Sequence, residues 1–349
     1  MKLISLRSLA LVMVLALLTA CTAKEKLYQE QSYVFGTLVE VSIYGEDETR
    51  ARQLVAHIFA DFDRLHVDLH PWKPGALSHI NEALAQPGTR VTASPEMVAV
   101  VRDAARLSEQ SGGLFNPAIG KLVKLWGFHS DEFQPQLPGA RGIDKLVAAH
   151  PAMSDVVVEG NEIYGRNAVV QLDFGGYAKG YALDLAAQYL KGEGVRNALI
   201  NIGGNIMALG RHGDRPWRVG IQHPRKSSAI ATLELHDGEA IGTSGDYQRY
   251  FIYEGRRYSH LIDPRSGWPV QGVQAATVVV PAQPGAGVLS DAASKPIFIS
   301  GVDGWREAAR TMGVDMAMLI DDQAVVHVTE ALQRRIQFLE QGMEVKTVP

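Results

Sequence analysis

Hydrophobic spacing divides the chain into alternating and helical stretches. Val34 to Tyr44, with Leu38 and the β-branched pair Val39 and Val41, predicts a strand. From Asp47 to His66 the apolar residues Leu54, Ile58, Phe62 and Leu65 recur at helical spacing and predict an amphipathic helix. Ser94 to Ser108 predicts a second helix, with Ser94 as its cap and Pro95 at its first position. Asn116-Pro117 is expected to open a third, running through Trp126. Ala178 to Leu190 predicts a fourth, followed by the apolar strand Ala198 to Ile202. Strands dominate from Pro216 to Val280, with a hairpin around Glu254-Gly255. Asp303 to Met312 is the last clear helix, and strands are expected near Met316–Ile320 and Ala324–Val328. There is no repeat, no low-complexity linker and no regular βαβ alternation. The expected class is α+β: one compact domain of mixed helices and mainly antiparallel strands.

The first twenty residues differ in kind. Met1, Lys2 and Arg7 precede the apolar run LALVMVLALL, which ends in Leu18-Thr19-Ala20-Cys21. A positive end, a short apolar core and small residues make a secretory signal. The run is too short to span a bilayer comfortably. Cys directly after Leu-Thr-Ala resembles a bacterial lipobox, and Cys21 is the only cysteine among 349 residues, so no intramolecular disulfide forms. An ordinary signal with a chance cysteine is the alternative. The expected organisation is a signal peptide over 1–20, a lipid-anchored tether over 21–32 and one main domain over 33–349. The expected location is that of an exported lipoprotein, anchored to a membrane and facing the periplasm. Removing residues 1–20 moves the net charge from -4 to -6, with 32 basic against 38 acidic residues. A mildly acidic surface argues against nucleic acid as a partner.

Three segments carry candidate chemistry. LDFGGYAKGYALD, residues 172–184, runs from a strand-like start through Gly175-Gly176 into a helix. Free amides at a helix start attract phosphate, and paired glycines let a ligand approach the backbone. Lys179 stands in the first turn, where the helix dipole disfavours a cation, so an anion is expected nearby. Asp173 is placed to accept hydrogen bonds from a base or sugar. Each glycine pair, here and in NIGGN at 201–205, also reads as a tight turn. The spacing is neither a P-loop nor a dinucleotide fingerprint. IGTSGDYQRYF and YSHLIDPRSGWPV bring Thr243, Ser244, Gly245, Ser259, His260 and Asp263 within about thirty residues, a concentration that favours a site. His260 suits proton removal near neutrality. Asp263 either orients it or caps the Pro264 turn. In VLSDAASKPIFISG, Asp291 is expected at a helix start with Ser294 and Lys295 one turn on, as a cap or as an oxygen ligand for a hard cation.

Together these segments resemble the ApbE family, the FAD:protein FMN transferases. FGTLVEVSIYG, HPWKPGALSHIN, SGGLFNPAIGKLVKLWGF, LDFGGYAKGYALD, NIGGN, IGTSGDYQRYF, YSHLIDPRSGWPV and SDAASK occur in the family's order, over about Tyr33 to Gly342. The resemblance implies that a Ser or Thr hydroxyl of an acceptor protein attacks the FMN-side phosphorus of FAD and that AMP leaves. It implies His260 as the base, its ring fixed by Asp263. Phe35, Trp72, Leu114, Phe115, Asn116, Asp173, Lys179, Thr243, Ser244, Gly245 and His260 are the implied FAD contacts. Gly176, Asp291 and Ser294 are the implied Mg2+ ligands, and Asn81 is the implied neighbour of the metal. The implied acceptors are membrane redox proteins of the Nqr, Rnf or NosR type. Three departures stand out. Phe35-Gly36-Thr37 replaces Met-Gly-Thr, and Phe115-Asn116-Pro117 replaces Phe-Asp-Pro. Lys295 replaces the threonine four residues after the metal aspartate, where its ammonium is a candidate substitute for part or all of the metal. Hydrolysis of FAD to FMN and AMP, or simple FAD binding, are the competing readings.

Overall fold

The structure is a computed structural model that describes residues 27–349 apart from 131 and 133; the expected signal sequence and Cys21 lie outside the described residues. The chain opens with strands β1 (Leu27–Val34) and β2 (Thr37–Tyr44) and helices α1 (Glu48–Asp68) and α2 (Ala76–Leu84). Strand β3 (Val91–Thr92), helices α3 (Pro95–Gln110), α4 (Gly120–Leu125) and α5 (Ala140–Ala148), and strands β4 (Val156–Glu159) and β5 (Glu162–Gly165) follow. Helix α6 (Ala178–Gly192) leads into β6 (Ala198–Ile202), β7 (Asn205–Leu209), β8 (Trp217–Gln222), β9 (Ala229–Leu235) and β10 (Ala240–Gly245). The hairpin β11 (Tyr250–Tyr253) and β12 (Arg256–Ser259) precedes β13 (Val273–Val280) and helix α7 (Ala286–Thr311). Strands β14 (Met316–Asp321) and β15 (Val326–Thr329), helix α8 (Glu330–Gln333), and strands β16 (Ile336–Phe338) and β17 (Val345–Val348) complete the fold.

A nine-stranded sheet, in the order β1-β2-β6-β7-β10-β13-β14-β15-β17, forms the middle layer. Its neighbours pair antiparallel except β15 with β17. Strand β13 is buried along its whole length because both of its faces are covered. Ala276, Val278 and Val280 pack with α1, α3, α6 and α7 in one core, while Ala275 and Val279 pack toward β8 and β9 in another. This is the period of two expected of a strand. A third cluster, built on Leu122, Trp126, Phe128, Ile143, Phe251, Tyr258 and Ile262, fastens the β11–β12 hairpin to α4 and α5.

The α+β reading holds, and several elements fall where the spacing puts them. Ser94 caps α3 by accepting from the Met97 amide, with Pro95 inside the cap. Other boundaries move. Residues 27–32, read as tether, belong to β1, an edge strand whose half-exposed polar side chains give no apolar alternation. Val34–Tyr44 is a hairpin rather than one strand. Phe35 and Gly36 turn it with positive φ angles of 56 and 70, the left-handed pair that a two-residue hairpin needs. The expected helix from Asn116 shrinks to α4. Asp291 does not start a helix: it lies inside α7, which begins at Ala286. Gly301, at φ 65, breaks that helix and leaves 303–312 as its second segment.

Candidate active site

His260 leaves the end of β12 on a loop with little freedom. Leu261 and Val270 share a backbone bond, Asp263 donates its amide to the Trp268 carbonyl, and Gly267 donates to the Asp263 carbonyl. Trp126 locks the loop from below. Its indole Nε1 donates to the Gly267 carbonyl at 2.8 Å, and its ring stacks on Tyr258 at 5.7 Å. Gly267 has φ +73, and a Cβ there would lie 2.6 Å from Ile143 Cγ2, so the turn needs glycine on both counts. His260 Nδ1 lies 3.1 Å from the Arg249 carbonyl, which also accepts the His260 amide at 3.0 Å. With Nδ1–H donated to that carbonyl, Nε2 is left as the basic nitrogen. Burial, and then the charges of Arg249, Lys179 and Lys295, hold the ring far below the usual imidazole range, at about 3, against the opposing effect of its bond to Arg249. His260 is therefore neutral at pH 7.

Across from it, α6 and α7 meet at two glycines. A Cβ on Gly180 would lie 2.3 Å from the Gly287 carbonyl oxygen, and one on Gly287 would lie 2.5 Å from the Gly180 oxygen. The Asp184 carboxylate caps α7 by accepting from the Gly287 and Val288 amides, each at 2.8 Å. This contact sets Asp291 against the start of α6. Asp291 is fully buried. Its Oδ2 accepts from the Gly180 amide at 3.0 Å, and its Oδ1 accepts from Lys295 Nζ. Lys295 Nζ also donates to the Asp291 carbonyl at 2.7 Å. Burial raises the Asp291 carboxyl, but Lys295 and Lys179 outweigh it and hold the group at about 2. Ser294 Oγ donates to the Asp291 carbonyl at 2.8 Å and lies 2.7 Å from Ser244 Oγ on β10. The Lys295 stem covers the glycine turn before α6, where a Cβ on Gly176 would lie 3.1 Å from Lys295 Cε. Gly180→Ala should push the two helices apart and cost about 1–3 kcal/mol of stability. A urea midpoint unchanged from wild type would refute the packing argument.

His260, Lys179, Lys295, Asp291, Ser294, Ser244 and Gly176 thus converge. Other expected site residues are engaged elsewhere. Asp263 does not orient His260: its carboxylate takes Arg265, with Nη2 at 2.8 Å, and accepts the Arg265 amide at 2.9 Å. Thr243 faces away from Ser244, because neighbours in a strand alternate; its hydroxyl pairs with Thr277 at 3.0 Å. Gly245 is buried in the sheet, opposite Ala275, and a Cβ there would lie 2.2 Å from the Tyr247 ring. Asn116 spends its amide on the loop, donating to the Pro151 carbonyl and accepting from the Ala118 amide. Phe115 is a buried core ring beneath Gly176 and has no free face for stacking. Asn81 spends its side-chain amide on the backbone: it clips both groups of Leu172, at 2.9 and 2.7 Å.

Asp173 shapes the glycine turn, accepting the Gly175 amide at 2.8 Å, and burial pushes its carboxyl up. Trp72 lines a cleft of ≈ 320 Å³ with Lys121, Lys124 and Gln171. It reaches the site through a chain of rings. It touches His129 at 5.7 Å, and the neighbouring Phe128 touches His260 at 6.4 Å. Phe35 packs on Phe62 and His66 at the β1–β2 turn, and Leu114 is half-buried. Two residues of the site region are not evident from the sequence. Arg249 holds the 128–130 loop through the Phe128 and Ser130 carbonyls while its own carbonyl holds His260. Asn205, the last residue of NIGGN, is buried on the helix side of the sheet with its Nδ2 donor unpartnered. A buried amide at a strand start after a glycine turn is the signal that could have marked it.

The residues implied for Mg2+ do not fit that ion. Magnesium demands near-octahedral oxygen coordination. Both Asp291 oxygens already accept hydrogen bonds, Ser294 Oγ is bonded to two other oxygens, and an ammonium occupies the position of the expected threonine hydroxyl. Among the described residues, no group of three or more His, Cys, Asp or Glu side chains comes together.

This fold is also found in known proteins. The ApbE family model matches residues 35–320, and the chain belongs to that family. A protein named FAD:protein FMN transferase from Rhodobacter capsulatus is 39% identical over 313 residues, covering 90% of this chain and 59% of that protein. The chain thus spans less than two thirds of that relative. A Klebsiella pneumoniae protein of the same name is 29% identical over 294 residues, with 82% of each chain covered. The crystal structure of the ApbE protein of Thermotoga maritima superposes with a TM-score of 0.80 at 27% identity, over 89% of this chain and 99% of that one. The flavinyl transferase ApbE of Pseudomonas stutzeri, in its apo form, gives 0.76 at 27% identity, over 89% and 97%.

Proposed function

We propose that this protein transfers FMN from FAD to a Ser or Thr hydroxyl of an acceptor protein. The observation that carries the reading is a half-buried histidine, its Nδ1 tied to the Arg249 carbonyl, facing a cluster of cations: Lys179, Lys295 and Arg249 all bear on His260. A dianionic pyrophosphate suits that field, and its negative charge raises the basicity of His260 as it binds. His260 Nε2 takes the proton from the acceptor hydroxyl. The hydroxyl oxygen bonds to the FMN-side phosphorus, and the bond from that phosphorus to the AMP oxygen breaks with its electron pair. The acceptor keeps FMN through a phosphoester. Phosphoryl transfer of this kind needs mainly positioning and charge stabilisation. The helix start at Gly176–Lys179 and the tied loop at 260–270 supply those.

The acceptor is proposed to be a membrane redox protein of the Nqr, Rnf or NosR type. The lipobox-like end at Cys21 would hold the enzyme beside it on the periplasmic side of a membrane. Incubation with FAD and an acceptor fragment tests the activity. A covalently fluorescent acceptor is expected; free FMN and AMP alone would make the protein a hydrolase, and unchanged FAD a carrier. Cys21→Ser should release the protein from washed membranes, whereas equal retention of variant and wild type would refute the anchor.

A further inference from the structure

We propose that Lys295 is a built-in cation that takes the place of a divalent metal at the FAD pyrophosphate. The inference rests on the proposed flavin transfer but concerns one side chain that the proposed chemistry leaves without a role of its own. Lys295 Nζ bonds both the carboxylate and the carbonyl of Asp291, and its stem lies against Gly176. The Lys295 side chain is 14% exposed, while that of Asp291 is fully enclosed. The ammonium therefore stands between a buried acid and the mouth of the glycine turn at the start of α6. An ammonium has three donors, and Asp291 uses two of them, so one N–H remains for a ligand. A phosphate oxygen is its natural acceptor, because lysine binds phosphate as a point charge.

The surroundings fix this arrangement. Asp291 cannot turn toward a metal without giving up the Gly180 amide or Lys295. Ser294 cannot become a ligand without leaving Ser244 or the Asp291 carbonyl. Pro296 follows Lys295 directly inside α7, and the buried residues 290–294 and 296–299 hold that part of the helix in the core. A threonine at 295 has no ammonium: Asp291 Oδ1 would be left open, and a metal would then have a carboxylate oxygen and a hydroxyl to bind. The Lys–Asp pair and a Mg2+ site are thus alternatives on the same atoms.

The test measures FAD affinity by quenching of flavin fluorescence and cation binding by Mn2+ paramagnetic resonance, on the full chain, with EDTA or with Mg2+. Wild type should bind FAD within about twofold in the two conditions and show no stoichiometric Mn2+ site with FAD bound. Lys295→Thr should lose about 10–100-fold in FAD affinity in EDTA, the range for a charged hydrogen bond, and regain it with Mg2+ while acquiring a Mn2+ site. A wild type whose FAD binding collapses in EDTA and returns with Mg2+, or that holds one Mn2+ with FAD, would overturn the proposal. The wild-type measurements need no variant, so a misfolded Lys295→Thr leaves them decisive. FAD binding without transfer to any acceptor would overturn the proposed function and leave the cation result standing. Failure to bind FAD in either condition would overturn both.

Discussion

His260→Ala should cut FMN transfer by ~10²–10⁴, the usual cost of losing a general base, and leave FAD affinity within a few-fold of wild type. The ring sits on the Arg249 carbonyl, opposite the glycine–lysine helix start, and contributes no charge to the pocket at pH 7. A variant that transfers at the wild-type rate removes the base from His260. The pH profile supplies a second check. Free His260 is held at about 3, so kcat/KM should show no acid limb near the ordinary histidine range of ~6.5. The limb in kcat should lie higher, because bound pyrophosphate favours the imidazolium. Stability follows the opposite face of the same shift. The unfolded chain binds a proton at His260 that the folded chain refuses, so wild type should lose stability as pH falls from about 6.5 toward 3. His260→Ala should lose less over that window.

Asp291→Ala should destabilise the protein by ~3–5 kcal/mol, the range for breaking a buried pair on one side only. The deletion strands two groups together. Lys295 loses the counterion that offsets its burial, and the Gly180 amide loses its acceptor at the tightest contact between α6 and α7. Chemical denaturation measures this directly. A midpoint close to wild type would mean that water reaches Lys295 and that the pair is far less enclosed than its burial indicates. Double replacement with Lys295→Met should recover part of the loss, since both charges then leave together.

Elements with strong local signals were legible in the sequence. The apolar face of α1, the Ser94–Pro95 cap of α3 and the Glu254-Gly255 turn each depend on residues close in sequence. The site was legible where a type of residue has few alternative uses: His260 in a dense loop, Lys179 at a helix start, Lys295 beside an aspartate. It was not legible where a side chain had a competing local partner. Asp263 stands two residues from Arg265, and Asn116 two residues from the amide it caps. Each satisfies its neighbour first, and no spacing rule reveals which partner wins. Thr243 and Ser244 look equivalent as a pair of hydroxyls, yet one turns to Thr277 and the other to Ser294. The start of α7 was hidden because Ala286-Gly287 has the composition of a loop. Those small residues are there to let Gly180 approach.

The pairing of β2 with β6 bears on how the chain is built. Val39 faces Ile202, residues separated by about 160 positions, so this contact is costly in loop-closure entropy and slow to form. The β1–β2 hairpin closes early, because only Phe35 and Gly36 lie between its strands. Its inner edge should then wait, with unpaired amides and the apolar faces of Val39, Val41 and Ile43 uncovered, until β6 pairs with it. During that interval the nascent N-terminal hairpin is an open template for another chain. Dilution or a bound chaperone should therefore raise the refolding yield most in the early phase, while substitutions confined to β14–β17, at the far edge of the sheet, should change it little.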